Sequence, residues 1–178
     1  MDFHTHNLLS VPGTAIVNVP REWLMSPALF RPVPGGLYSA GIHPWWTGEA
    51  QDAGRLFAGL RQLSEHAQVV AVGECGLDRL RGADLEIQTA LFRRQVELAE
   101  ERGLPVTVHC VKAFDRLLHL CKLWRPKTQW TVHGFRGGPE LAVQLLAAGI
   151  DLSFGRRYNP ETLKVVPPER CHFETDEA

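Results

Sequence analysis

The sequence predicts an α/β fold: a distorted, shortened (β/α)8 barrel of the TIM type. Eight short runs of strand character follow one another along the 178 residues, the later ones separated by stretches of helical periodicity. Histidines and carboxylates recur at the ends of these runs, where such barrels build their active sites. The chain is shorter than the about 250 residues usual for the fold, and the deficit has identifiable places. The links after strands 1, 2 and 7 are too short for full helices, and the last helix is missing.

The first strand is Asp2-Phe3-His4-Thr5-His6. Strand alternation puts His4 and His6 on one face, about 7 Å apart. Pro12 and Gly13 mark a turn before a buried second strand, Ala15-Ile16-Val17-Asn18-Val19, which Pro20 ends. The proline-rich stretch 21–36 is expected to be irregular, with one helical turn near Glu22–Met25. A third strand, Leu37-Tyr38-Ser39-Ala40-Gly41-Ile42, delivers His43-Pro44-Trp45-Trp46.

From there the pattern is regular. Ala53, Leu56, Phe57, Leu60 and Leu63 recur at helical spacing as far as about His66. Val69-Val70-Ala71-Val72 is a β-branched strand carrying Gly73-Glu74-Cys75-Gly76-Leu77-Asp78 at its end. A long helix follows from Asp84 to Arg102, stopped by Gly103, with Gln88 and Gln95 inside its apolar half. Two amides there are expected to bond nearby loop backbone. Pro105 opens the strand Val106-Thr107-Val108-His109, and Phe114, Leu117, Leu118 and Cys121 mark the next helix. Gln129–His133 is the sixth strand, and Gly134-Phe135-Arg136-Gly137-Gly138 leads into a helix with Pro139 in its first turn. Ile150–Phe154 and Arg170–Glu174 are the seventh and eighth strands, the latter ending at Thr175-Asp176.

The length suits a single domain over residues 1–178, and 44% hydrophobic with 22% charged residues is ordinary for a globular chain. A net charge of −1 gives no global attraction to nucleic acid or anionic membrane, so an anionic partner must be held locally. No apolar run is long enough to span a bilayer, and His4 lies too close to Met1 for a preceding signal peptide; no membrane partner is expected. Cys75, Cys110, Cys121 and Cys171 lack CxxC spacing, which suits buried thiols in a reducing cytosol, and the expected location is cytoplasmic. Without a closing helix, one side of the first and last strands lies uncovered. The natural chain is therefore expected to continue past Ala178, or another chain to cover the gap. Oligomeric state has no signature.

His4 and His6 on strand one, Glu74 after strand four, His109 after strand five, His133 after strand six and Asp176 after strand eight all reach one end of such a barrel. Four imidazoles and two carboxylates suit zinc, manganese or nickel, and less typically magnesium. Six ligands exceed the needs of one ion with an open position, so two divalent ions are expected, one carboxylate bridging them.

These motifs, with Gly41-Ile42-His43-Pro44 and Glu174-Thr175-Asp176, resemble the TatD family of metal-dependent hydrolases, a branch of the amidohydrolase superfamily comprising chiefly deoxyribonucleases. The resemblance covers nearly the whole chain. It implies that His4, His6, Glu74 and Asp176 hold one ion and that Glu74, His109 and His133 hold the other. It also implies hydrolysis by a metal-activated water, with Glu74 and Asp176 as the catalytic carboxylates and Asp176 taking a proton. Two departures stand out: Val111 and Lys112 replace an arginine frequent in the family two residues after the strand-five histidine, and Glu177-Ala178 ends the chain.

The expected substrate is DNA or a small phosphoester. Alternatives are a small amide or ester hydrolase, or a non-catalytic metal- or nucleic-acid-binding protein. Arg79, Arg81, Lys112, Arg136, Arg156 and Arg157 follow strand ends and are expected to ring the mouth, with Lys112 and Arg136 as substrate contacts. His43 is expected to touch substrate, because it lies outside the ligand pattern. Gly134–Gly138 offers backbone N–H groups to a phosphate. Trp45 and Trp46 either stack bases or pack the rim. His66, His119 and His172 are expected to be structural or exposed.

Overall fold

The computed structural model describes residues 1–176, and the expected continuation past Ala178 lies outside them. Eight parallel strands form one sheet in sequence order: β1 (Asp2–Thr5), β2 (Ala15–Asn18), β3 (Leu37–Ala40), β4 (Val69–Asp78), β5 (Val106–Val111), β6 (Trp130–Val132), β7 (Asp151–Phe154) and β8 (Cys171–Phe173). Full-length helices come after β3, β4, β5 and β6: α2 (Ala50–Leu63), α3 (Leu85–Arg102), α4 (Phe114–Trp124) and α5 (Pro139–Ala147). The links after β2 and β7 carry only short pieces, α1 (Arg21–Met25) with a 3-10 turn at Pro27–Leu29 and α6 (Pro160–Leu163) with another at Pro168–Arg170, and no helix separates β1 from β2. The predicted shortened barrel is observed. Among the described residues, no helix is long and apolar enough to cross a membrane.

The outward residues of β4 to β7 make the main core with α3, α4 and α5. Cys75, Val106, Val108, Trp130, Val132, Leu152 and Phe154 are buried against Phe92, Leu117 and Leu145. A second cluster joins Val17, Ala40 and Val69 to Leu56 and Leu60 of α2 and Leu24 of α1. Cys75 thus turns from the barrel interior, as alternation predicts, and burial pushes its thiol strongly up. Burial likewise raises the partly buried Cys110 thiol to about 12.

Gln88 and Gln95 are buried amides that clip α3 to strand ends. Gln88 Oε1 accepts Asp78 N–H at 2.7 Å, while its Nε2 donates to the carbonyls of Asp78, Arg81 and Ala83. Gln95 Oε1 accepts Ile42 N–H at 2.6 Å. Two positions that present site residues are thereby tied to one rigid helix.

Gly76 sits at φ +142, where side chains are disfavoured, and a Cβ there would overlap the His109 carbonyl of β5. Gly76→Ala is expected to destabilise the fold by about 3 kcal/mol, measured as a fall in urea midpoint. An unchanged midpoint would refute so close an approach of β4 to β5.

No ladder pairs β8 with β1 among the described residues. Asp2 joins them instead: its Oδ1 accepts Thr175 N–H at 3.0 Å and its Oδ2 accepts Thr175 Oγ–H at 2.6 Å, while Asp176 N–H donates to the His4 carbonyl at 3.1 Å. The flank expected to lie uncovered does so at Phe173, 55% exposed.

Candidate metal centre

Glu74 is the hub. Its side chain is 3% exposed, and its N–H donates to Asn18 Oδ1 at 2.9 Å, an oxygen that also accepts Ser39 Oγ–H at 3.0 Å. The two carboxylate oxygens face different histidines. Oε1 lies 3.2 Å from His4 Nε2 and 2.9 Å from His6 Nε2. Oε2 lies 2.7 Å from His133 Nε2, 3.2 Å from His109 Nδ1 and 3.3 Å from His43 Nε2. Asp176 Oδ1 is 3.6 Å from both His4 Nε2 and His6 Nε2. All six sequence-predicted ligands therefore reach one place.

The spacing suits metal chelation. Donors sharing one ion at bonds of about 2.1 Å sit roughly 3.0–3.4 Å apart. His4 Nε2 and His6 Nε2 are 3.3 Å apart, and both lie beside one carboxylate oxygen. Three groups of side chains offer converging ligand atoms: His4, His6 and Glu74; His4, His133 and Asp176; His43, Glu74 and His109.

Carboxylates behind the ring hold two imidazoles in place. His109 Nε2 lies 3.1 Å from Asp78 Oδ2. His133 Nδ1 lies 3.2 Å from Glu174 Oε1, and the other Glu174 oxygen accepts Ser153 Oγ–H at 2.5 Å. A histidine bonded this way on one nitrogen presents a lone pair on the other. Sequence reasoning gave Asn18, Asp78 and Glu174 no role. The available signal was alternation: Asp78 lies four residues after Glu74 and Glu174 two before Asp176, so each shares a face with a candidate ligand.

The charge balance is set by Glu74. Burial alone raises its carboxyl, but the opposing His133, His109 and His4 hold it well below the usual carboxylate range. For His133, burial disfavours the charged form, yet the Glu74 and Glu174 carboxylates win and raise it well above an ordinary imidazole. The hydrogen bond that His6 donates to Glu74 raises its imidazole against burial. His43 moves the other way, lowered chiefly by burial. Its Nδ1 accepts Trp45 N–H at 3.1 Å, so the neutral ring carries its proton on Nε2 and offers Glu74 a donor rather than a lone pair. Position groups His43 with the candidate ligands, whereas its tautomer suits a hydrogen-bonding contact.

Beside the cluster opens a cleft of ≈ 500 Å³ lined by Lys112 and Arg136, with His109, His133 and Asp176 on its wall. A recess of ≈ 170 Å³ adjoins it between Arg136, Arg156, Arg157 and Asp176. The expected basic mouth is thus partly formed, with two corrections. Arg79 turns outward to the Asp115 carboxylate at 2.8 and 2.9 Å. Arg81 lies over the Trp45 ring at 4.4 Å. Within Gly134–Gly138, the Phe135 N–H is already taken by the Ser153 carbonyl at 2.9 Å, so fewer donors face the cleft than the sequence suggests. Trp46 packs partly against the second core, whereas Trp45 is 46% exposed. His66 and His119 are exposed on the surface, and His172 stacks on Phe3 with Nε2 3.4 Å from Asp151. Another cavity of ≈ 410 Å³, lined by Arg125, Lys127 and Gln129, includes none of the clustered residues.

A family profile described as "TatD related DNase" matches residues 11–177. The curated protein from Erwinia tasmaniensis named "3'-5' ssDNA/RNA exonuclease TatD" is 38% identical over 150 residues, covering 78% of this chain and 56% of the relative. One of the same name from Erwinia billingiae is 38% identical over 154 residues, covering 80% and 58%. This chain therefore spans little more than half the length of these relatives. Among solved structures, YJJV, a TatD homolog from Escherichia coli K12, superposes with a TM-score of 0.72 at 30% identity, covering 92% of this chain and 67% of that one. A TatD family hydrolase from Entamoeba histolytica gives 0.70 at 29% identity, covering 91% and 60%. The barrel, the convergence on Glu74 and these matches agree: the chain belongs to the TatD-related DNase family.

Proposed function

We propose that this chain is a divalent-metal-dependent phosphodiesterase that shortens single-stranded nucleic acid, the activity named for its relatives. The observation that carries the reading is the division of Glu74. Oε1 serves His4 and His6 while Oε2 serves His109 and His133, the arrangement that a carboxylate bridging two ions requires. His4, His6, Glu74 and Asp176 would hold one ion, and Glu74, His109 and His133 the other. Bound there, the ions would supply a water acidified toward neutrality and a Lewis acid for the phosphoryl oxygens.

The remaining steps belong to the chain. Asp176, 38% exposed at the cleft wall, accepts the proton of the attacking water and can release it to solvent. Glu74, buried and held ionised, stays a carboxylate throughout. His43, its Nε2–H directed at Glu74 Oε2 3.3 Å away, stands beside the reacting centre as the candidate substrate contact. Lys112 and Arg136 line the cleft and bind the phosphates flanking the scissile bond.

The test is incubation of labelled single-stranded oligonucleotides with the protein and magnesium, manganese or zinc. Stepwise loss of 3' nucleotides by wild type, reduced at least a hundredfold in His109→Ala, is expected. Equal turnover by both proteins, or release from neither, would reject the nuclease reading. Cleavage of a small phosphoester with intact oligonucleotides would move the substrate to that class.

A further inference from the structure

The exposed Trp45 is tied into the centre rather than free to stack. Its indole Nε1–H donates to Asp78 Oδ2 at 2.7 Å, and the same oxygen lies 3.1 Å from His109 Nε2. Asp78 Oδ1 accepts Leu80 N–H at 2.8 Å. Among the described residues no lysine or arginine pairs with this carboxylate, which is 3% exposed. Three N–H groups therefore compensate a buried charge, and the indole makes the shortest of these bonds. The Arg81 guanidinium over the indole at 4.4 Å holds the ring from outside by a cation–π contact. The inner edges of Trp45 meet His43 at 4.7 Å and His109 at 5.9 Å between ring centroids.

We infer that Trp45 is a positioning residue for His109, acting through Asp78. With Asp78 fixed on Nε2, a His109 ring that turns its Nδ1 lone pair to an ion carries its proton on Nε2, whereas without an ion Glu74 Oε2, 3.2 Å from Nδ1, competes for that proton. Removing the indole N–H leaves Asp78 Oδ2 with one donor instead of two. The carboxylate then turns toward water, and the ring loses its tautomeric bias. The inference rests on the metal reading of this centre for its consequence, but the tautomer belongs to the chain itself and is measurable without metal.

The experiment is two-bond proton–nitrogen NMR of histidine-labelled protein at pH 8, without metal, for wild type and Trp45→Phe. Divalent-ion affinity is measured in parallel against a chromophoric chelator. In wild type the Nε2–H tautomer of His109 is expected to be populated against the pull of Glu74 on Nδ1; in Trp45→Phe the population shifts toward Nδ1–H, and ion affinity falls about tenfold. Asp78→Asn should shift both readouts the same way and further. If Trp45→Phe fails to fold, benzothienylalanine at position 45 keeps the ring shape and removes only the N–H. Wild-type tautomer signals and affinity in the variant overturn the inference. A tautomer shift in a protein that binds no divalent ion upholds the Trp45 tether and rejects the metal reading.

Discussion

Glu74→Gln is expected to leave the barrel folded and to cut nuclease turnover about a thousandfold, with at least one bound ion lost per chain. The reason is the two-sided use of this carboxylate. An amide has one acceptor oxygen and one N–H2 group, so whichever way it turns, either the His4 and His6 side or the His109 and His133 side faces a donor. The volume is unchanged, and the Glu74 N–H bond to Asn18 involves backbone, so packing gives no cause for unfolding. Elemental analysis alongside the oligonucleotide assay measures both effects. Wild-type metal content and rate in the variant would dismiss Glu74 as the bridge.

Chelation is expected to lower thermal stability as well as activity, and the size of the effect should depend on pH. An ion at a hundred times its dissociation constant stabilises by about 2.7 kcal/mol. For a domain of this size each kcal/mol moves Tm by about 2–4 °C, so stripping one such ion should cost about 5–11 °C. Without metal, Glu74 is balanced by protons: the His133 and His6 imidazoles are raised, His133 despite its burial. A raised group stabilises fully below its unfolded pKa, about 6.5 for histidine, and that contribution is lost as pH rises through the folded value. The metal-free chain should therefore weaken from pH 6 to pH 8. Ion binding must displace those protons and grows easier over the same range. The Tm gain on adding manganese or zinc is thus expected to be larger at pH 8 than at pH 6. A gain independent of pH would mean that the ions bind elsewhere than at these imidazoles.

The strand order was legible because its signals are local. Alternation in Asp2–His6, the β-branched run at Val69–Val72 and the turn residues between elements report on backbone within a few residues. Boundaries were less so. The strand expected over Val69–Val72 runs on to Asp78, past a register shift between Val72 and Cys75, because pairing with β5 continues to Val111. The Gln88 and Gln95 clips were legible as buried amides, since a polar side chain on an apolar helix face must find a partner. Which backbone they bind was not, because Ile42 follows β3 whereas Asp78 ends β4.

The candidate site divides the same way. By itself the sequence determined that six side chains able to ligate a metal stand at strand ends, because residue type and strand phase are both written locally. Only the tertiary structure decided how they share Glu74, because the choice of Oε1 or Oε2 depends on where β1, β5 and β6 sit around the barrel. It also decided that Asp78 and Glu174 stand behind His109 and His133, that Arg79 turns away to Asp115, and that Trp45 spends its N–H on Asp78. These are contacts between distant segments, and a hydrogen bond between residues 33 positions apart leaves no periodicity for a single sequence to display.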